Sequence, residues 1–182
     1  MPFKPHRTRI RLLTLLALLC VGAVAAKLIY DDWLRRHALH IGAIEEVVLL
    51  PWNTTIPARM DTGAATSALD ARDMHVLPDG KEIEFRLPER CGGHLVRRRL
   101  HGWRTVTSSN GQSEKRPEVE MEMQMGERRF RTHVTLTDRS KMKYPLLIGR
   151  RTLNKRFVVD VTHTNMLTPE VPEPVAAPAG AP

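Results

Sequence analysis

Asp61 is the residue whose setting most suggests chemistry. It stands in Met60-Asp61-Thr62-Gly63-Ala64, directly after the apolar segment 56–60 and before the small polar run Ala65-Thr66-Ser67. A carboxylate on a tight turn after a strand can be presented at a subunit boundary, and a glycine two residues on lets another backbone approach closely. Thr62 adds a hydroxyl able to hydrogen-bond across such a boundary, and Ser67 one able to hydrogen-bond near Asp61. Downstream, Leu147-Ile148-Gly149-Arg150 places two apolar residues before a glycine and a cation. Other chemistries have weaker footing. No Gly-x-Ser-x-Gly elbow accompanies Ser67 as a nucleophile. Cys20 lies in an apolar stretch, so Cys91 has no partner for an intradomain disulfide or a cysteine zinc site. There is no His-Glu-x-x-His. His37 and His40 lie close to the apolar N-terminal stretch, while His94, His101, His133 and His163 are scattered. No phosphate-binding Gly-x-x-x-x-Gly-Lys-Ser/Thr loop occurs, and neither a metal nor another cofactor is expected.

Short strands must position these residues. Segment 45–50 ends at Pro51, and segment 56–60 leads straight into Asp61. Segments 74–77 and 81–87 flank Pro78-Asp79-Gly80, a strong hairpin turn. Segments 103–107 and 117–125 flank Ser108-Ser109-Asn110-Gly111, a second one. Val119, Met121, Met123 and Met125 alternate with Glu118, Glu120, Glu122 and Gln124, the period-two pattern of a half-buried strand, with the methionines facing a core. Segment 130–137 returns the chain after Gly126-Glu127. The apolar runs 146–148 and 157–159 read as central buried strands, with a helical turn at 150–154 between them. Many short strands at hairpin spacing with little helix predict a closed all-β domain.

Asp61-Thr62-Gly63-Ala64 together with Leu147-Ile148-Gly149-Arg150 resembles the paired signature of retropepsins, the single-domain aspartic proteases of retroviruses. The chain resembles more closely a bacterial family called ATP-dependent zinc proteases, which looks retropepsin-like in fold. That resemblance runs over residues 42–161, through blocks at 46–51, 59–71, Ser109-x-Gly111 with Arg116-Pro117, 136–140, 144–153 and 158–160. It implies a retropepsin-like closed barrel of short strands with one short helix, and an aspartic endopeptidase with Asp61 as catalytic carboxylate. Thr62, Gly63, Ala64, Ser67, Gly149 and Arg150 then support the active-site loop. Arg150 is implied to form an ion pair beneath that loop, with Asp70 a candidate partner. Asp138-Arg139 and Asp160 fall in family blocks, where a turn or a structural salt bridge explains them equally well. Such chemistry needs two aspartates, which share one proton because like charges close together cannot both ionise. This sequence carries a single Asp-Thr-Gly, so the second carboxylate must come from another copy: a C2 homodimer pairing Asp61 with its equivalent. A flap should close the cleft, with the Asn110-Gly111 hairpin and the Cys91-Gly92-Gly93 segment as candidates.

The formal charge of +8 locates the chain more than it describes a ligand. Lys4, Arg7, Arg9, Arg11 and Lys27 flank the first apolar stretch, and the remainder is close to balance. Arg97-Arg98-Arg99 lacks the interleaved aromatics that would stack bases, so no nucleic acid is expected as a partner. Residues 12–26 are fifteen without a charge, preceded by basic residues, the layout of a signal peptide or a signal anchor. Leu28-Ile29-Tyr30 extends the stretch past Lys27, favouring an uncleaved single-pass inner-membrane anchor with the following domain in the periplasm. Ala23-Val24-Ala25 supports the competing reading, a cleaved signal and secretion to the periplasm. The expected organisation is therefore 1–30 anchor or signal, 31–40 juxtamembrane linker, 41–168 protease domain, and 169–182 a disordered proline-rich tail. The expected partners are a second copy, a peptide or protein substrate, and the membrane. The rival functions are a non-catalytic peptide-binding module of the same fold and a metal-dependent peptidase.

Overall fold

The computed structural model describes residues 5–107 and 111–167. The expected turn residues Ser108, Ser109 and Asn110 and the tail 169–182 lie outside the described residues. The chain divides into two units, at residues 1–39 and 40–182.

The first unit is built on one helix, α1 (Pro5–Arg36). Its segment Leu12–Trp33 has a mean hydropathy of 2.5 over 22 residues, and its apolar side chains are exposed. At 1.5 Å per residue that segment matches a hydrocarbon layer of about 30 Å. A long, apolar, exposed N-terminal helix is consistent with a signal or an anchor. It runs on to Arg36, so much of the segment expected as a linker is helical.

The second unit is mostly β. In chain order come β1 (Leu39–Gly42), β2 (Ile44–Leu50), β3 (Thr54–Asp61), β4 (Ser67–Asp70), β5 (Arg72–Val76) and β6 (Glu82–Arg86). After a 3-10 turn at Glu89–Cys91 follow β7 (Leu95–Thr107), β8 (Ser113–Met125), β9 (Arg128–Thr137), β10 (Leu146–Gly149), the short helix α2 (Arg150–Leu153) and β11 (Phe157–Asp160). Strands β2, β3, β10, β4, β9 and β8 are hydrogen-bonded in that order. β8 then pairs back onto β2, Val48 opposite Gln124, which closes a six-stranded barrel. The barrel is mixed: β10 runs parallel to β3, β4 runs parallel to β9, and the other pairings are antiparallel. β7, β6 and β5 continue outward from β8 as an antiparallel arm.

Alternation along the strands builds the core. Met121, Met123 and Met125 point inward and are wholly buried, as are Val47, Leu49, Ile56, Leu69, Leu136 and Ile148. Burying a side chain of this size stabilises by about 1.5–3 kcal/mol.

Three strand expectations change. β4 went unrecognised because polar Ser67 and Asp70 bound it, yet all four of its residues are buried. Residues 157–159 do not form a central strand: among the described residues β11 pairs only with β1, and Val158 is 42% exposed. A short apolar run does not distinguish a barrel strand from a peripheral pair. The arm strand β7 begins at Leu95, eight residues before the expected start at Trp103, and absorbs Arg97-Arg98-Arg99. Glu82 takes up the charge of Arg97 at 2.5 Å.

Candidate active site

β3 delivers Asp61 to the barrel rim, and β10 lies parallel beside it with Gly149 in register opposite Asp61. The chain turns sharply after Asp61, and the turn is bonded to its own aspartate. Asp61 Oδ1 accepts the backbone N–H of Gly63 at 2.9 Å and of Ala64 at 3.0 Å. No described residue hydrogen-bonds Oδ2, so one carboxylate oxygen orients the group and the other stays open. Asp61 is half-buried and Thr62 exposed.

The end of β10 and the start of α2 hold this loop from beneath. Arg150 N–H donates to the Ala64 carbonyl at 2.9 Å, and Arg151 N–H to that of Ala65 at 3.2 Å. The backbones come so close that a Cβ on Gly149 would lie 2.5 Å from the Thr66 carbonyl oxygen. Only glycine fits there without displacing the loop. A Cβ on Gly63 would approach Asp61 Oδ1 to 3.2 Å, a tight contact.

Ser67 lies one layer below. Its Oγ accepts the Gly149 N–H at 3.1 Å and shares a 2.7 Å hydrogen bond with Thr152 Oγ1, which also bonds Thr132 Oγ1 at 2.6 Å. Thr135 donates to the Ser67 carbonyl at 3.0 Å. The serine thus reaches the neighbourhood of Asp61 through Gly149 and does not touch the carboxylate.

Arg150 is the correction. It does not pair with Asp70; its guanidinium donates to the carbonyls of Thr62 at 3.0 Å and Gly63 at 2.5 Å. Asp70 ends β4 near the start of β10, away from Gly149, and other cations claim it. Arg150 therefore clips the loop through the backbone.

A cleft of about 420 Å³ opens between loop residues 63–66 and residues 104–107 of β7. Thr135 and Leu147 also line it, together with Arg104, Arg116, Arg139, Arg150 and Arg151, and among the described residues no acidic one does. A hollow of about 640 Å³ bounded by Leu50, Pro51 and the charged face of β7–β9 includes no residue of the Asp61 loop.

With this geometry in view, residues 40–170 match the model of a family described as RimB-like, retropepsin-like aspartic endopeptidase RimB. The chain belongs to the RimB-like family. A crystal structure of a Legionella pneumophila protein of unknown function is similar to it, with a TM-score of 0.61 at 27% identity over 70% of this chain and 97% of that one. A probable alpha-L-glutamate ligase from Shewanella pealeana is 33% identical over 118 residues, covering 58% of this chain. One from Parasynechococcus marenigrum is 32% identical over 120 residues, covering 62%. The RimB-like chain spans about a quarter of the length of these curated relatives.

In the RimB-like domain, sequence reasoning missed the cluster around Asp70. This wholly buried carboxylate takes Arg90 at 2.5 Å, Arg72 at 3.1 Å and the Arg139 backbone N–H at 2.7 Å. Arg90 lies twenty residues from Asp70 and Arg139 sixty-nine, so no local pattern joins them. Asp138 bonds the Ser140 N–H and hydroxyl and pairs with Arg72, which holds its carboxyl below the usual range. Asp160 caps Thr162 and His163 at the end of β11 and takes no part in the cleft. Burial pushes the Cys91 thiol up to about 11, which leaves it a protonated core residue at neutral pH. Among the described residues no three His, Cys, Asp or Glu side chains are grouped to hold a metal.

Proposed function

We propose that this chain is an aspartic endopeptidase, active as a C2 homodimer in which two copies of Asp61 share one proton. The observation that carries the reading is the Asp61 carboxylate, oriented by backbone donors on one oxygen and open on the other. One carboxylate of the dyad takes a proton from water as the water attacks the scissile carbonyl. The protonated partner donates a hydrogen bond to that carbonyl oxygen. The proton then passes to the leaving amine, and no covalent intermediate forms. Arg150, Gly149 and Ser67 hold the loop still, which keeps the two carboxyls in register.

The β7–β8 hairpin serves as the flap, because residues 104–107 of β7 face the loop across the cleft. The Cys91-Gly92-Gly93 segment belongs instead to the turn whose Arg90 is bonded into the Asp70 cluster. The substrate is an acidic peptide. Among the described residues five arginines and no acid line the cleft, and the relatives matched over this domain are named probable alpha-L-glutamate ligases. α1 anchors the enzyme in the inner membrane, with basic residues on the cytoplasmic side and the protease domain in the periplasm.

The test is hydrolysis of an acidic and mixed peptide library by the full chain in detergent. Cleavage should disappear in Asp61→Asn, stop with a statine-type transition-state mimic and survive a chelator. Cleavage that persists in Asp61→Asn, or that a chelator removes, overturns the reading.

A further inference from the structure

Five arginines border the cleft, and three of them are already engaged. Arg104 forms a two-pronged pair with Glu118, both bonds 2.9 Å long. Arg116 pairs with Glu114 at 2.7 Å. Arg150 donates from Nη1 to both loop carbonyls. Arg151 stands exposed on α2. Arg139 differs from all four. It is half-buried, and among the described residues its guanidinium makes one hydrogen bond, from Nε to the Tyr144 carbonyl at 3.2 Å, with no carboxylate bonded to it.

Its backbone is gripped from both sides by a single ion pair. Asp70 Oδ1 accepts the Arg139 N–H at 2.7 Å, and Arg90 Nη2 donates to the Arg139 carbonyl at 2.9 Å. Arg90 and Asp70 bind each other at 2.5 Å, and Arg90 also donates to the Met142 carbonyl at 3.1 Å. A buried aspartate and the arginine paired with it thus fix where residue 139 leaves the chain. Burial works hardest against the Arg139 charge, and the Asp70 charge, opposing burial, leads the neighbouring effects, with Arg116, Arg90 and Asp61 also felt. A half-buried cation without a bonded counter-ion is costly unless something supplies one. The planar fork of a guanidinium suits a carboxylate.

We propose that Arg139 is a specificity-determining residue that receives the side-chain carboxylate of an acidic substrate residue next to the scissile bond, and that the Asp70–Arg90 pair is its positioning clamp. This rests on the cleft being the substrate cleft of an acidic-peptide protease. The substrate's carboxylate accepts from the free guanidinium N–H groups, while the Tyr144 bond and the clamp hold the arginine in place.

The experiment compares kcat/KM of the full chain on two peptides that differ by one Glu→Gln exchange beside the cleaved bond. Wild type should favour the Glu peptide roughly ten- to a hundredfold, the worth of a charge-assisted hydrogen bond. Arg139→Gln should bring the ratio close to one, Arg139→Lys should restore part of it, and Asp70→Asn should lower it with Arg139 still present. If Asp70→Asn fails to fold, Arg90→Lys tests the clamp through the same ratio. A wild-type ratio that survives in Arg139→Gln overturns the assignment and leaves the acidic-substrate reading standing. A ratio near one in a wild type whose cleavage depends on Asp61 overturns that reading, and this assignment with it. Should wild type cleave neither peptide, equilibrium binding of the same pair decides, and equal affinities overturn the assignment.

Discussion

Asp61 and Asp70 each close a strand flanking β10, and the molecule treats them in opposite ways. Asp61, beside the C-terminal end of β10, is half-buried; its bonds come from two backbone N–H groups on one oxygen. Asp70, near the other end, is wholly buried and takes two arginines and a backbone N–H. A carboxylate whose acceptor sites are filled by fixed partners holds structure together. One oriented on one side and open on the other is available to a substrate or a water. On the proposed reading the contrast separates a chemical role from an architectural one at two residues of the same type in the same barrel.

The comparison is broken most severely by exchanging which aspartate is lost. Asp61→Asn should reduce peptide hydrolysis by at least about a thousandfold, since the proposed dyad supplies both acid and base. The urea midpoint of the β domain should stay within experimental scatter, because Asn offers the same acceptor to Gly63 and Ala64. Asp70→Ala should do the reverse to stability, lowering it by about 3 kcal/mol in urea titration, because Arg72 and Arg90 lose their buried counter-charge. Between these lies Gly149→Ala. Its methyl group meets the Thr66 backbone, so stability should drop by about 1–3 kcal/mol, and hydrolysis should drop further as the Asp61 loop is displaced.

The smallest effect sharpens the contrast on the hairpin. Burial raises the Glu118 carboxyl, but the Arg104 hydrogen bond and charge outweigh burial and leave it below its usual range. A carboxyl depressed in the folded state contributes stability that is complete above the unfolded value, near 4.3, and is lost as pH falls through the folded one. The urea midpoint should therefore fall below about pH 4. Glu118→Gln should flatten that fall by about 1 kcal/mol or less, because Arg104 is partly exposed. A midpoint that declines equally in both proteins removes Glu118 from the account.

What could be read from the sequence was what local pattern encodes. The alternation from Val119 to Met125 gave a strand with its methionines inward, and the apolar segment before Asp61 gave a strand ending at the turn. The Leu147-Ile148-Gly149 run marked the strand that lies in register beside it. Positions set by distant partners were hidden. β4 is polar at both ends because Ser67 bonds Thr152 and Gly149 while Asp70 bonds Arg90 and the Arg139 N–H as well as nearby Arg72, and apart from Arg72 these partners are distant in sequence. The family resemblance implies an ion pair for Arg150 with Asp70 a candidate partner, whereas the structure gives it carbonyl oxygens, which carry no sequence signal. The clamp on Arg139 was invisible for the same reason: it acts on a peptide group, through residues drawn from three separate segments.

The central claim is that one active site is assembled from two copies of Asp61, and subunit mixing tests it most directly. Full-length wild type and Asp61→Asn chains are co-refolded into detergent at equal amounts, and hydrolysis is compared with all-wild-type protein at the same total chain concentration. A shared dyad predicts total activity of about a quarter of the all-wild-type value, because only pairs with two intact aspartates work. Activity of about one half, proportional to the wild-type fraction, would mean that each copy works alone and would contradict the account.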